Sequence, residues 1–180
     1  MPTQAGERLL QAADDLFYAE GIRAVGVERL LAESGVGRAS FYRHFAGKDE
    51  LVLAVLRRRD QRWRAWLEET VRERGNHPLA VFDALAQGAE SRDYRGCAFN
   101  NAIVEITEGD SEVHRLAAEH KRLVREFVER LLIAAGHVER SGELARQFTL
   151  LMDGAIMTAL RERTGAAARC ARDIAAALLA

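Results

Sequence analysis

Five glycines between positions 21 and 47 cut the start of this chain into short helical pieces, and that punctuation limits what the segment can fold into. Leu9, Leu10, Ala13, Leu16 and Phe17 recur at helical spacing, and Gly21 stands where a left-handed residue closes a helix, so a helix is expected from about Glu7 to Glu20. Val27, Leu30 and Leu31 define a second, shorter helix that stops by Ser34-Gly35. A third, Arg38 to Phe45, starts three residues later. Two short helices joined by a glycine-containing turn of three or four residues make a helix-turn-helix, although spacing alone also permits a plain helical hairpin.

The rest of the chain needs no strand. Gly47 opens one long helix whose apolar positions run from Leu51 and Val52 through Trp63, Trp66 and Leu67 to a stop near Gly75-Asn76-His77-Pro78. Pro78 suits a first helical position and starts a helix to about Glu90. Further helices are expected over Cys97–Glu108, 111–135, 140–163 and Ala166–Leu179, broken at Gly109, Gly136 and Gly165. A length of 180 residues gives one domain or two small ones. A composition 48% hydrophobic and 29% charged, with two prolines, excludes extended disorder and predicts an all-α protein. The longest apolar run, Ile174 to Ala180, falls far short of the ~20 residues a bilayer span needs. The first fifteen residues lack the apolar core of a signal peptide. The chain therefore reads as cytoplasmic, with no membrane partner, and two cysteines 73 residues apart fit a reducing compartment.

Charge singles out the same N-terminal segment. Residues 23–59 hold eight Lys or Arg against four Asp or Glu, whereas residues 60–180 are slightly acidic. On the third helix Phe41 and Phe45 lie four apart and anchor one face, which leaves Arg38, Ala39, Ser40, Tyr42, Arg43 and His44 on the others. Those are donor-rich side chains suited to phosphates and base edges. Lys48, in the first turn of the long helix, opposes the helix dipole unless an anion lies close by. A DNA phosphate is one such anion, and the neighbouring Asp49 and Glu50 are others.

The run Gly35-Val36-Gly37-Arg38-Ala39-Ser40-Phe41-Tyr42-Arg43-His44-Phe45, followed by Gly47-Lys48-Asp49-Glu50-Leu51, resembles the signature of the TetR family of bacterial transcriptional regulators over roughly residues 7–56. The resemblance implies a helix-turn-helix DNA-binding domain of three helices over 1–47. It also implies a helical ligand-binding and dimerisation domain over 48–180, a homodimer, a double-stranded DNA operator and a small-molecule effector. By position, Arg38, Ala39 and Ser40 fall where such proteins contact bases, and Gly37, Tyr42, His44 and Lys48 where they contact phosphate or cap the helix. Gly26 and Gly37 depart from the family, which often carries Ser or Thr there. Glycine is a passable N-cap, so the fold survives while a side-chain phosphate contact is lost.

Other patterns carry weaker expectations. Arg57-Arg58-Arg59, with Arg62 and Arg64, looks like a nucleic-acid patch, yet five charges spread over a helix circle mostly face solvent. For the effector pocket, Phe99, Ile103 and Met152 are expected as lining, with Asn100, Asn101 or Asp153 as polar anchor, because these polar groups interrupt apolar runs. Each is equally read as a satisfied structural group. The dimer is expected to use Phe148, Leu151, Ala155, Ile156, Ala159 and Leu160 of one helix with Ile174, Ala177 and Leu178 of the last. The five histidines lack metal-ligand spacing, and no cofactor motif or catalytic constellation appears. The function expected is a ligand-responsive regulator, most simply a repressor released from a palindromic operator by a partly apolar effector. The alternative is a helical-bundle enzyme or ligand carrier whose N-terminal helices are incidental.

Overall fold

A computed structural model describes residues 4–180, and among them every regular element is an α-helix. In chain order these are α1 (Gln4–Glu20), α2 (Val27–Ser34), α3 (Arg38–His44), α4 (Lys48–Glu73), α5 (Ala80–Ala89), α6 (Ala98–Glu105), α7 (Glu112–Ala134), α8 (Ser141–Glu162) and α9 (Ala166–Leu179). The glycine breaks fall where expected, and Gly21, Gly35 and Gly136 all have positive φ. Three boundaries differ from the sequence reading, the first being α1, which is already helical at Gln4 rather than from Glu7. Leu79 is helical in conformation but Pro78 lies in the turn before α5, where the Ala80 amide reaches the His77 carbonyl. Helix α6 stops at Glu105 rather than Glu108, because Thr107 and Gly109 are poor helix formers beyond its last bond, Ile106 N–H to the Ala102 carbonyl.

The chain packs as two compact units, residues 1–60 with 98–117 and residues 61–97 with 118–180. In the first, Leu9, Ala13, Leu16 and Phe17 of α1 are buried together with Val25, Leu30, Phe41 and Leu51, which fixes α2 and α3 against α1. In the second, Phe82 and Phe148 meet at 5.4 Å between ring centres at the middle of a core built from α5, α8, α9 and the buried faces of α4 and α7. Gly165 lets the start of α9 approach α5: a Cβ there would stand 2.8 Å from the Ala86 carbonyl oxygen.

Candidate nucleic-acid interface

The turn between α2 and α3 depends on Gly35, at φ +61°, and on Val36, which is buried beneath it. Helix α3 is short, and a seven-residue helix does not persist alone in water, so its packing holds it. Phe41 is fully buried and Phe45 nearly so, and Phe41 meets the Tyr42 ring edge-on at 5.1 Å. With that face pinned, Gly37, Arg38, Ala39, Tyr42 and Arg43 are exposed and Ser40, His44 and Lys48 half-buried. The residues expected to meet DNA thus all keep some or most of their surface open to solvent. Neither α2 nor α3 has a side-chain cap, and a Cβ at Gly26 or Gly37 would meet nothing within 4 Å.

The cations near this surface fall into distinct groups. Arg43 and Lys48 have no ion-pair partner among the described residues. Arg38 is paired through Nη2 with Glu28 of α2. Arg29 lies between Glu20 and Glu33 at 3.5 and 3.4 Å. The run at 57–59 is fully engaged: Arg57 with Glu112, Arg58 with Glu7 and Gln11, and Arg59 with Asp14. Asp14 is only 3% exposed, and Arg59 also donates to its carbonyl and stacks 4.1 Å over the Tyr18 ring. These arginines brace α4 against α1 and the first residue of α7, which answers the question their clustering raised.

The family model for bacterial regulatory proteins of the tetR family matches residues 9–55, which span α1 to the start of α4. The crystal structure of SCO4454, a TetR-family transcriptional regulator from Streptomyces coelicolor, superimposes with a TM-score of 0.88 at 33% identity, covering 98% of this chain and 94% of that one. The chain belongs to the TetR family. Among named relatives, the transcriptional repressor DrrR1 of Streptomyces coeruleorubidus is 36% identical over 40% of this chain and 31% of its own length. The transcriptional activator FasR of Mycolicibacterium smegmatis is 30% identical over 63% of this chain and 45% of its own. The chain thus spans about half the length, or less, of these curated relatives.

For a TetR-family chain the remaining question is what lies beyond the helix-turn-helix. In the first unit a small, partly open cleft with a volume of only about 20 Å³ lies between α1, α4 and α6, walled by Phe17, Tyr18 and Leu56, with Arg59, Asn101 and Glu105 as its polar groups. Of the residues expected at an effector site, Asn101 lines this cleft, Phe99 is buried, and Asn100 and Ile103 are half-buried on the same helix. Met152 belongs to the second unit's core, and Asp153 is paired with Lys121 of α7, so its carboxylate already holds an ammonium. Among the described residues no group of three or more His, Cys, Asp or Glu could hold a metal ion, and no helix is long and apolar enough to cross a membrane.

Helix α8 differs from its sequence reading in orientation. Phe148, Ala155, Ile156 and Ala159 are buried within their own chain, because that side of α8 packs on α5 and α9. Leu151, Leu160 and Leu178 are half-buried. The large apolar side chains left in water on these two helices are Leu150 (74% exposed) and Met157, with Gly154 between them, and Ile174 of α9, beside which Ala177 is also exposed. Periodicity marked a buried stripe correctly but did not say which partner covers it. Glu28 and Asp14 also escaped the sequence reading, as did the contact that Glu105 makes. Glu105 ends α6, where an anion opposes the helix dipole, yet its carboxylate accepts the Arg23 backbone N–H at 2.7 Å and lies against Gly21.

Proposed function

We propose that this TetR-family chain is a homodimeric, ligand-responsive DNA-binding regulator acting as a repressor, with residues 1–47 as DNA-binding domain and 48–180 as ligand-binding and dimerisation domain. The observation that carries the reading is the α3 surface, in which Arg38, Ala39 and Tyr42 are exposed and Ser40 partly so while Arg43 and Lys48 are uncompensated cations. Arg38, Ala39 and Ser40 meet base edges, and Gly37 through its backbone, Tyr42, His44 and Lys48 meet phosphate. A second copy covers Leu150, Met157 and Ile174. The effector contacts α6, with Asn101 as the amide that anchors it, since Asn101 lines a cleft. A ligand that prefers the conformation with wrongly spaced recognition helices lowers operator affinity by a coupling of ~1–3 kcal/mol. We assign the chain no enzymatic role, and it works in the cytoplasm, where its operator is.

The test is selection of duplexes from a random pool by the purified chain. A pseudo-palindrome is expected, with half-sites one helical turn, ~34–36 Å, or a larger spacing apart. Enrichment of no sequence, or of one without a dyad, overturns the reading.

A further inference from the structure

On a surface built to approach DNA, a carboxylate needs a reason. Four acids fall in the basic segment 23–59, and three have evident structural work: Glu33 pairs with Arg29, Glu50 accepts the Ala46 N–H at 2.6 Å ahead of α4, and Asp49 favours the positive end of the same helix. Glu28 is different. It projects from the first turn of α2, is 73% exposed at its side chain, and reaches ten residues along the chain to take Nη2 of Arg38, the first residue of α3. Arg43 and Lys48, on the same surface, carry no such partner.

Resting on the DNA-binding reading above, we propose that Glu28 is a positioning residue for sequence specificity: it holds the Arg38 guanidinium so that a neutral base edge can accept from it while a phosphate is repelled. The argument is electrostatic and geometric. A guanidinium presents five N–H donors in a rigid plane. With Nη2 held by the carboxylate, Nε and Nη1 stay uncommitted and the guanidinium is drawn toward α2. The acceptors on guanine, O6 and N7, are uncharged, so they can share the guanidinium with Glu28. A phosphate oxygen is an anion and meets the Glu28 charge at close range. The pair therefore costs little at a matching base and more on the backbone, which separates the two ways in which an arginine binds DNA. Arg43 and Lys48, with no carboxylate beside them, remain general phosphate binders.

The experiment uses the full chain, the duplex that the wild type selects from a random pool and a scrambled duplex of equal length, with affinities followed across a salt series. Glu28→Gln keeps the shape and a hydrogen-bond acceptor and removes the charge; Glu28→Ala removes both, and the thermal midpoint of each reports folding. Glu28→Gln is expected to tighten binding to the scrambled duplex, to steepen its salt slope by up to about one as Arg38 becomes a phosphate contact, and to reduce the selected-to-scrambled ratio by about three- to fivefold, the scale an exposed ion pair supports. In an Arg38→Ala background the change in ratio should vanish. An equal tightening on both duplexes, or a change in ratio that persists without Arg38, shows general charge repulsion and overturns the proposal. A wild type that enriches no sequence overturns the DNA-binding reading itself, whereas one that enriches a site while Glu28→Gln keeps full discrimination overturns only the role of Glu28.

Discussion

Asp14 places a buried carboxylate in the core of the first unit. Its carboxylate is buried and Arg59 is only partly so, and an ionic pair of this kind is costly to break from one side because the remaining charge has no water to return to. Arg59→Ala should therefore lower stability by ~2–4 kcal/mol, more than Asp14→Ala, since the arginine left by the latter can turn toward solvent over Tyr18. Urea denaturation of both variants checks the order, and a larger loss for Asp14→Ala contradicts it. On the DNA face the contrast is between kinds of contact. Arg38→Ala is expected to cost ~1–3 kcal/mol on the selected operator and little on random DNA, while Lys48→Ala should weaken every sequence alike and lower the salt slope by about one. Titrations of both variants on both duplexes separate the roles, and identical profiles would remove Arg38 from base reading.

At the scale of elements, the two glycines flanking the helix-turn-helix turn have opposite characters. Gly35 sits at φ +61°, where an L side chain is strained, so Gly35→Ala should destabilise by ~1 kcal/mol or somewhat more and loosen α3. Gly37 has φ −69° and ψ 151°, an ordinary N-cap conformation with open space around it. Gly37→Ser should thus be tolerated, gain a few tenths of a kcal/mol from a side-chain cap, and strengthen binding to all duplexes through a hydroxyl near the phosphate. Thermal midpoints and affinities for the two variants should move in opposite directions. Gly21 lies where the α1–α2 turn meets α6: at φ +94° an L side chain is strained, and an alanine Cβ 3.1 Å from both Glu105 carboxylate oxygens would push that side chain aside by a few tenths of an ångström.

For the whole molecule, the apolar surface on α8 and α9 makes assembly testable. Leu150, Gly154 and Met157 follow one another at four- and three-residue spacing along one exposed face, and Ile174 stands in water on α9. Leu150→Asp or Met157→Asp should leave the fold and thermal midpoint nearly unchanged, because neither side chain serves the core, while producing monomers in sedimentation that bind the operator far more weakly. Retention of a dimer places the interface elsewhere. A charge at Ile156 would instead unfold the chain, since Ile156 is buried against its own neighbours. For the effector, Asn101→Leu should leave operator binding intact and abolish release by an inducer. Loss of stability and DNA binding together would show that the amide holds the fold.

Helix number, order and most boundaries were legible in the sequence because they rest on local causes: glycine at left-handed closures, apolar residues at helical period, and short helices forced to pack through Phe41 and Phe45. The exposure of the residues proposed to face DNA was legible for the same reason, since fixing one face of a seven-residue helix leaves the others outside. Tertiary structure alone decided the matters that need a second element to be in place. The arginines at 57–59 became struts only once α1 and α7 set acids opposite them, and Asp153 became half of an ion pair once Lys121 arrived from α7. Glu28 and Arg38 found each other across a turn that no period encodes. The apolar side of α8 holding Phe148 and Ile156 went to the chain's own core because α5 and α9 reach it first, which left Leu150 and Met157 outside. A hydrophobic period states that a face avoids water, and the packing of the other helices determines what covers it.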